Sequence, residues 1–318
     1  MRRACLSLMA LLVGQAAWAA PPETIPRTVP LDPVTGETPT VVVEAPEPLY
    51  VAPTLRDRIG RIWAPVLING KGPFRLVLDT GANSSAIIPP VLEALGVGVE
   101  GARTVQLTGV TGTAVVPVIF AQQLEVGDLL MQNIRLPVVP DVFGGAQGVL
   151  GSDGLGDKRI YIDFRNDLIR ISRSHGEPLP VNFTRVPVTL NSLRLLTFDL
   201  RVGNVRTHAI LDTGAQQSMG NGKLREALLR RAREARDEDI VGVTLDVAQG
   251  QSMAIPPIGL GDIQVRNMRV NFGNEFIFER WKLTREPALI LGMDVIGTLE
   301  TLIIDYKQRE LHLRAPRR

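Results

Sequence analysis

Residues 60–314 are dominated by short runs of Val, Ile and Leu, such as "RLVL", "IYIDF", "HAIL" and "LIIDY", separated by Gly, Pro and Asn. Apolar runs of this length between turn formers predict many short β-strands, and the region reads as mostly β. Helical spacing is sparse. The clearest case is "KLREALLRRAREARDED" at 223–239, where Leu224, Ala227, Leu228, Ala232 and Ala235 recur at the helical period with charges between them. That pattern predicts an amphipathic helix whose arginines form a solvated face. "PPVLEAL" at 89–95 also reads as helical, with the glycine-rich "GVGVEG" at 96–101 as its end.

The first twenty residues differ from the rest. Arg2 and Arg3 precede an apolar stretch and then Ala17-Trp18-Ala19, the arrangement of a signal peptide over 1–19. The stretch is short for a membrane span, so no stable membrane insertion is expected after cleavage, and a periplasmic or secreted location follows. Cleavage also removes Cys5, the single cysteine, leaving neither disulfide nor thiol chemistry. Residues 20–57 are proline-rich without an apolar period, which predicts an extended linker or tail.

Five landmarks then occur twice, in the same order and at similar spacing. "LDTGA" at 78–82 returns at 211–215, "VQLTGVTG" (105–112) as "VTLDVAQG" (243–250), and "VGDLLMQNIRL" (126–136) as "LGDIQVRNMRV" (260–270). "GVLGSDGLG" (148–156) is answered by "LILGMDVIG" (289–297), and "IYIDF" (160–164) by "LIIDY" (302–306). Two lobes built on one ancestral pattern explain this, over 58–175 and 176–318.

Asp79 and Asp212 each end an apolar run and open a turn. Gly81 and Gly214 suit a tight turn that a Cβ would resist, and the hydroxyls of Thr80 and Thr213 suit hydrogen bonds that lock the two turns together. Turns locked in this way bring the aspartates face to face. Two carboxyls in contact cannot both ionise cheaply, so the pair keeps one proton and offers a base and an acid in one site. Such a pair activates water for attack on a peptide carbonyl with neither metal nor covalent intermediate.

The doubled Asp-Thr-Gly, followed each time by Ala82 or Ala215, resembles the aspartic proteases, and the alanine is more similar to the retropepsin-like group than to pepsin. The resemblance spans about residues 60–314. It implies an all-β, two-lobed acid-protease fold, each lobe a closed β-barrel with a short helix, and an aspartic endopeptidase with Asp79 and Asp212 as catalytic residues. Thr80, Gly81, Ala82, Thr213, Gly214 and Ala215 become the supporting turns, and "VLG" 149–151 and "ILG" 290–292 pack beside them. Flaps over a peptide substrate are placed at 107–115 and 245–253, with Gly109, Gly112 and Gly250 as candidates. The resemblance also makes Ser84, Ser85 and Ser218 neighbours of the catalytic turns, where a hydroxyl helps orient a carboxylate. Tyr50, Tyr161 and Tyr306, the three tyrosines, all lie outside those flaps, a departure from pepsin. Both motifs lie in one chain, so a monomer is expected to be complete. The alternative is a non-catalytic peptide-binding or regulatory module that retains the fold; the intact aspartates and glycines of both halves favour the enzyme.

Composition adds mainly exclusions. The chain of 318 residues is 45% apolar and 21% charged, long enough for two ordinary domains, and its formal charge of +2 includes Arg2 and Arg3 of the leader. Charge therefore points to no nucleic-acid partner. "GVGVEG" matches a dinucleotide-binding spacing but follows a helical segment instead of a strand. No cofactor is expected, and His175, His208 and His312 are too scattered for a metal site. Asp153, Asp163, Asp294 and Asp305 recur at matched positions and read as turn caps and strand ends.

Overall fold

Alternation of apolar and polar residues builds the first half. Strand Trp63–Ile68 buries every second side chain, and Lys71–Leu78 passes from an exposed start to a fully buried end at Leu76, Val77 and Leu78. The computed structural model describes residues 50–53, 60–109, 112–229, 235–241, 247–273 and 276–316. All belong to one compact unit, Glu47–Arg318. The signal peptide reading and most of the proline-rich segment lie outside the described residues.

The architecture is mostly β and two-lobed, with two curled half-barrel sheets. Seven strands between Trp63 and Leu150 form the first, and its longest member, Thr113–Val126, pairs with Thr104–Thr108, Trp63–Ile68 and Leu129–Pro137. Ten strands between Thr189 and Leu291 form the second. A third, six-stranded sheet takes strands from both halves. At its centre Lys158–Asp163 pairs antiparallel with Thr301–Asp305, placing Ile162 opposite Leu302 and Ile160 opposite Ile304. These are the "IYIDF" and "LIIDY" segments. All of Thr301–Asp305 is buried, as expected of a strand covered on both faces.

Two expectations change here. The helix read over 223–239 stops early: Gly222–Leu228 is helical, capped by Asn221 accepting from Leu224 N–H at 2.9 Å, but Ala235–Val241 is a strand paired with Val247–Ala254. Propensity is a weak prior, and a partner strand that supplies a full ladder of backbone bonds outweighs it. The proline-rich segment is not a free tail throughout. Tyr50–Pro53 adds to the six-stranded sheet as an edge strand on Leu168–Arg173, satisfying backbone groups that an open edge leaves unpaired. The helix read at 89–95 does form, with Pro at its start and Gly96 ending it in the left-handed region at φ 73°. No helix among the described residues is long and apolar enough to cross a membrane.

Candidate active site

Two strands with buried C-terminal ends, Lys71–Leu78 and Val205–Leu211, deliver the aspartates. Val77 and Leu78 lie parallel to Val149 and Leu150, and Ile210 and Leu211 lie parallel to Ile290 and Leu291. All eight side chains are buried. Each ladder continues one step into its turn: Asp79 N–H donates to Leu150 O at 2.9 Å, and Asp212 N–H to Leu291 O at 3.0 Å. The apolar run before each aspartate is therefore a fixed rail that sets where the carboxyl stands.

The threonines join the turns. Thr80 N–H donates to Thr213 Oγ1 at 3.1 Å while Thr80 Oγ1 donates to Leu211 O at 2.7 Å, and Thr213 returns both bonds, to Thr80 Oγ1 at 3.1 Å and Leu78 O at 2.7 Å. All four bonds are buried, so losing a hydroxyl strands two polar groups without water. Thr80→Val is expected to lower the unfolding free energy by about 2–6 kcal/mol, and Thr80→Ser, which keeps the hydroxyl, by less than half as much, measured by chemical denaturation.

Asp79 and Asp212 come face to face and hydrogen-bond each other. The Oδ1 of Asp79 accepts from Gly81 N–H at 2.8 Å and Ala82 N–H at 3.0 Å; that of Asp212 accepts from Gly214 and Ala215 N–H, both at 2.9 Å. Neither Gly81 nor Gly214 adopts the left-handed region, so the need for glycine is not the turn conformation inferred from sequence. A Cβ on Gly81 would lie 2.7 Å from Asp212 Oδ1, and one on Gly214 2.6 Å from Asp79 Oδ1, with the carboxyl carbons nearer still. Each glycine makes room for the aspartate of the other half.

Burial pushes both carboxyls above their ordinary value of 3.8, and the negative charge of Asp212 pushes Asp79 further. Backbone N–H donors and the bond from Asp79 hold Asp212 down. The pair thus holds one proton between the two carboxyls while the second is ionised.

The other sequence candidates are distributed as follows. Ser85 and Ser218 bond the carboxyls of Asp153 and Asp294, while Ser84 Oγ donates to the Ser85 carbonyl at 3.3 Å. Asp163 and Asp305 do close turns: Asp163 Oδ1 accepts from Arg165 and Asn166 N–H, both at 3.0 Å, and Asp305 Oδ1 from Gln308 N–H at 2.9 Å. Gly109 N–H donates to Gly112 O at 2.8 Å beside the antiparallel pair Thr104–Thr108 and Thr113–Val126, and residues 110–111 lie outside the described residues. Gly250 is not at a tip. It sits within strand Val247–Ala254 opposite Glu238, and residues 242–246 lie outside the described residues. His208 pairs with Asp199 at 3.3 Å beside Arg206. Among the described residues no cluster of His, Cys, Asp or Glu is placed to hold a metal.

Sequence reading missed Tyr306 as a neighbour of the site. Its hydroxyl is buried with no hydrogen-bond partner among the described residues, and burial, then the charge of Asp79, raises its phenol well above the usual value. No motif in "LIIDY" signals that proximity; it arises where the two halves share a sheet.

A protein-family model described as aspartyl protease matches the chain at residues 64–153 and again at 198–295. No curated protein sequence matches it.

Proposed function

Because the chain belongs to the retropepsin-like aspartyl protease family, which matches more than half of it, we propose that it is an aspartic endopeptidase cutting peptide bonds with water activated between Asp79 and Asp212. The observation that carries the reading is the face-to-face pair of aspartates, Asp212 buried and Asp79 partly so, one from each matched segment and held by reciprocal threonine bonds. The ionised aspartate of the pair takes a proton from the attacking water. The protonated one donates to the oxygen of the developing tetrahedral intermediate, and a proton then passes to the leaving nitrogen. The substrate is an extended peptide bonded to the hairpins as an added strand.

One chain supplies both aspartates, which supports a monomeric enzyme. We read the halves as repeats of one ancestral lobe, supported by matched left-handed residues at Gly127 and Gly261 and at Asn133 and Asn267. The leader at 1–19 supports export to the periplasm or beyond.

The test is cleavage of a diverse peptide library across pH, with and without a statin-type inhibitor such as pepstatin. Cleavage should be inhibitor-sensitive and bell-shaped in pH. It falls on the acid side as the pair gains a second proton, and on the alkaline side as it loses the shared one. Since burial raises both groups, both limbs should lie above those of a solvent-exposed carboxyl pair. Cleavage insensitive to the inhibitor, or none at any pH, overturns the reading.

A further inference from the structure

Asp153 and Asp294 do something a turn cap does not. A capping carboxylate bonds N–H groups two or three residues on, as Asp163 does with Arg165 and Asn166. Asp153 instead reaches 68 residues back to Ser85, and Asp294 reaches 76 residues back to Ser218. Ser85 Oγ donates to Asp153 Oδ1 at 2.8 Å and Ser85 N–H donates to the same oxygen at 2.9 Å. Ser218 Oγ donates to Asp294 Oδ1 at 2.6 Å and its N–H to Oδ2 at 3.0 Å.

The two serines are fully buried, and each hydroxyl has a second partner. Ser85 Oγ accepts from Gly151 N–H at 3.1 Å, and Ser218 Oγ from Gly292 N–H at 3.0 Å. Gly151 follows Leu150, whose carbonyl holds Asp79 N–H, and Gly292 follows Leu291, which holds Asp212 N–H. The first turn is thus tied at Asp79, at Ala82, whose carbonyl accepts from Ser152 N–H at 2.8 Å, and at Ser85. Its anchors are three consecutive residues, 150 to 152. The second turn repeats this with Met293 N–H on Ala215 O at 2.8 Å and adds Asp294 N–H on Gln216 O at 3.0 Å. The approach is close: a Cβ on Gly151 would lie 2.7 Å from Ser84 O, and one on Gly292 2.9 Å from Gln217 O.

We propose that Ser85–Asp153 and Ser218–Asp294 are two positioning braces that hold the catalytic carboxyls in register, so that breaking one slows the chemical step and leaves substrate binding largely intact. The proposal rests on Asp79 and Asp212 being the catalytic pair. The threonine bonds join the turns to each other; the braces fix each turn to its own half. The second brace carries more, because Asp294 Oδ1 also accepts from Val295 N–H at 2.9 Å and burial keeps its carboxyl above the ordinary value.

The experiment compares the mature protein with Ser218→Ala, Asp294→Ala, the double variant and the milder Asp294→Asn. A displacement of one ångström at a reacting group costs about a hundredfold in rate, so Ser218→Ala and Asp294→Ala should each lower kcat by about ten- to a hundredfold with KM within about twofold. The double variant should be no slower than the worse single one, since both break the same relay. Asp294→Asn, which keeps an acceptor for the hydroxyl, should retain more activity than Asp294→Ala, and it serves if the alanine variants do not fold. Carbon-13 titration of the Asp79 and Asp212 carboxyls supplies a readout independent of turnover, and their two steps should move closer together in Ser218→Ala. Additive losses, a raised KM at unchanged kcat, or an unaltered titration in a folded variant overturn the brace. If the unmutated protein cleaves nothing, the peptidase reading fails while the titration still decides whether the braces hold the carboxyls.

Discussion

Asp79→Asn and Asp212→Asn are each expected to lower kcat by about a thousandfold or more, with the fold intact, as befits removal of a group that moves a proton in the transition state. The amide keeps the shape. An Asn at 79 still offers an oxygen to Gly81 and Ala82 N–H, and one at 212 to Gly214 and Ala215 N–H. What is lost is the group that changes charge, so the effect belongs to chemistry and not to packing. Stability should move the other way. Both carboxyls are raised in the folded chain, so their favourable contribution is complete at low pH and is lost as pH rises through the folded values. An asparagine cannot ionise and escapes that loss. Its melting temperature relative to the unmutated protein should therefore climb as pH rises above the ordinary carboxyl value of 3.8 and through the raised folded values, where a neutral side chain replaces a buried charge. Calorimetry across that range checks the sign; an asparagine variant that loses ground as pH rises would contradict the shared-proton pair, and full activity in either variant would remove that residue from the mechanism.

Gly81→Ala and Gly214→Ala should be nearly as damaging, for a steric reason. The added methyl group would stand 2.7 Å from Asp212 Oδ1 in the first case and 2.6 Å from Asp79 Oδ1 in the second. Backbone torsion offers no relief, because neither position is left-handed and alanine is already allowed there. The carboxyl of the opposite half must retreat. A shift of about one ångström predicts a loss of about a hundredfold in kcat/KM, and overpacking predicts a stability loss of about 1–3 kcal/mol. Because the methyl on one turn displaces the aspartate of the other, Gly81→Ala should perturb the carbon-13 titration of Asp212 more than that of Asp79, and Gly214→Ala the reverse. Equal perturbation of both, or full activity, would mean that the glycines serve only their own turns.

These expectations separate what was visible in the chain from what was not. The strands ending at Leu78 and Leu211 were legible because an apolar run closed by Asp-Thr-Gly is a local signal. Thr80 and Thr213 were legible because a doubled hydroxyl beside a doubled carboxylate suggests a pair. Gly81 and Gly214 were identified with the wrong cause: their local sequence suggests a tight turn, while the atoms that exclude a side chain belong to a residue 131 positions away in one direction and 135 in the other. Asp153 and Asp294 looked like ordinary caps because their partners lie far back in the chain. The segment 235–241 carried helical spacing yet became a strand, since the strand at Val247–Ala254 offered backbone bonds that periodicity does not record.

The sequence by itself determined the mostly β character and the two Asp-Thr-Gly turns, because each rests on residues close together in the chain. Tertiary structure decided the contacts between residues far apart in the chain: across the halves, the reciprocal threonine bonds and the carboxyls held in each other's glycine clearing; within each half, the serine–aspartate bonds; and, just after the shared strand, the burial of Tyr306 where the charge of Asp79 reaches it. The physical reason is that desolvation and close approach are properties of surroundings. Asp79 becomes a proton holder only when folding removes its water and sets Asp212 against it.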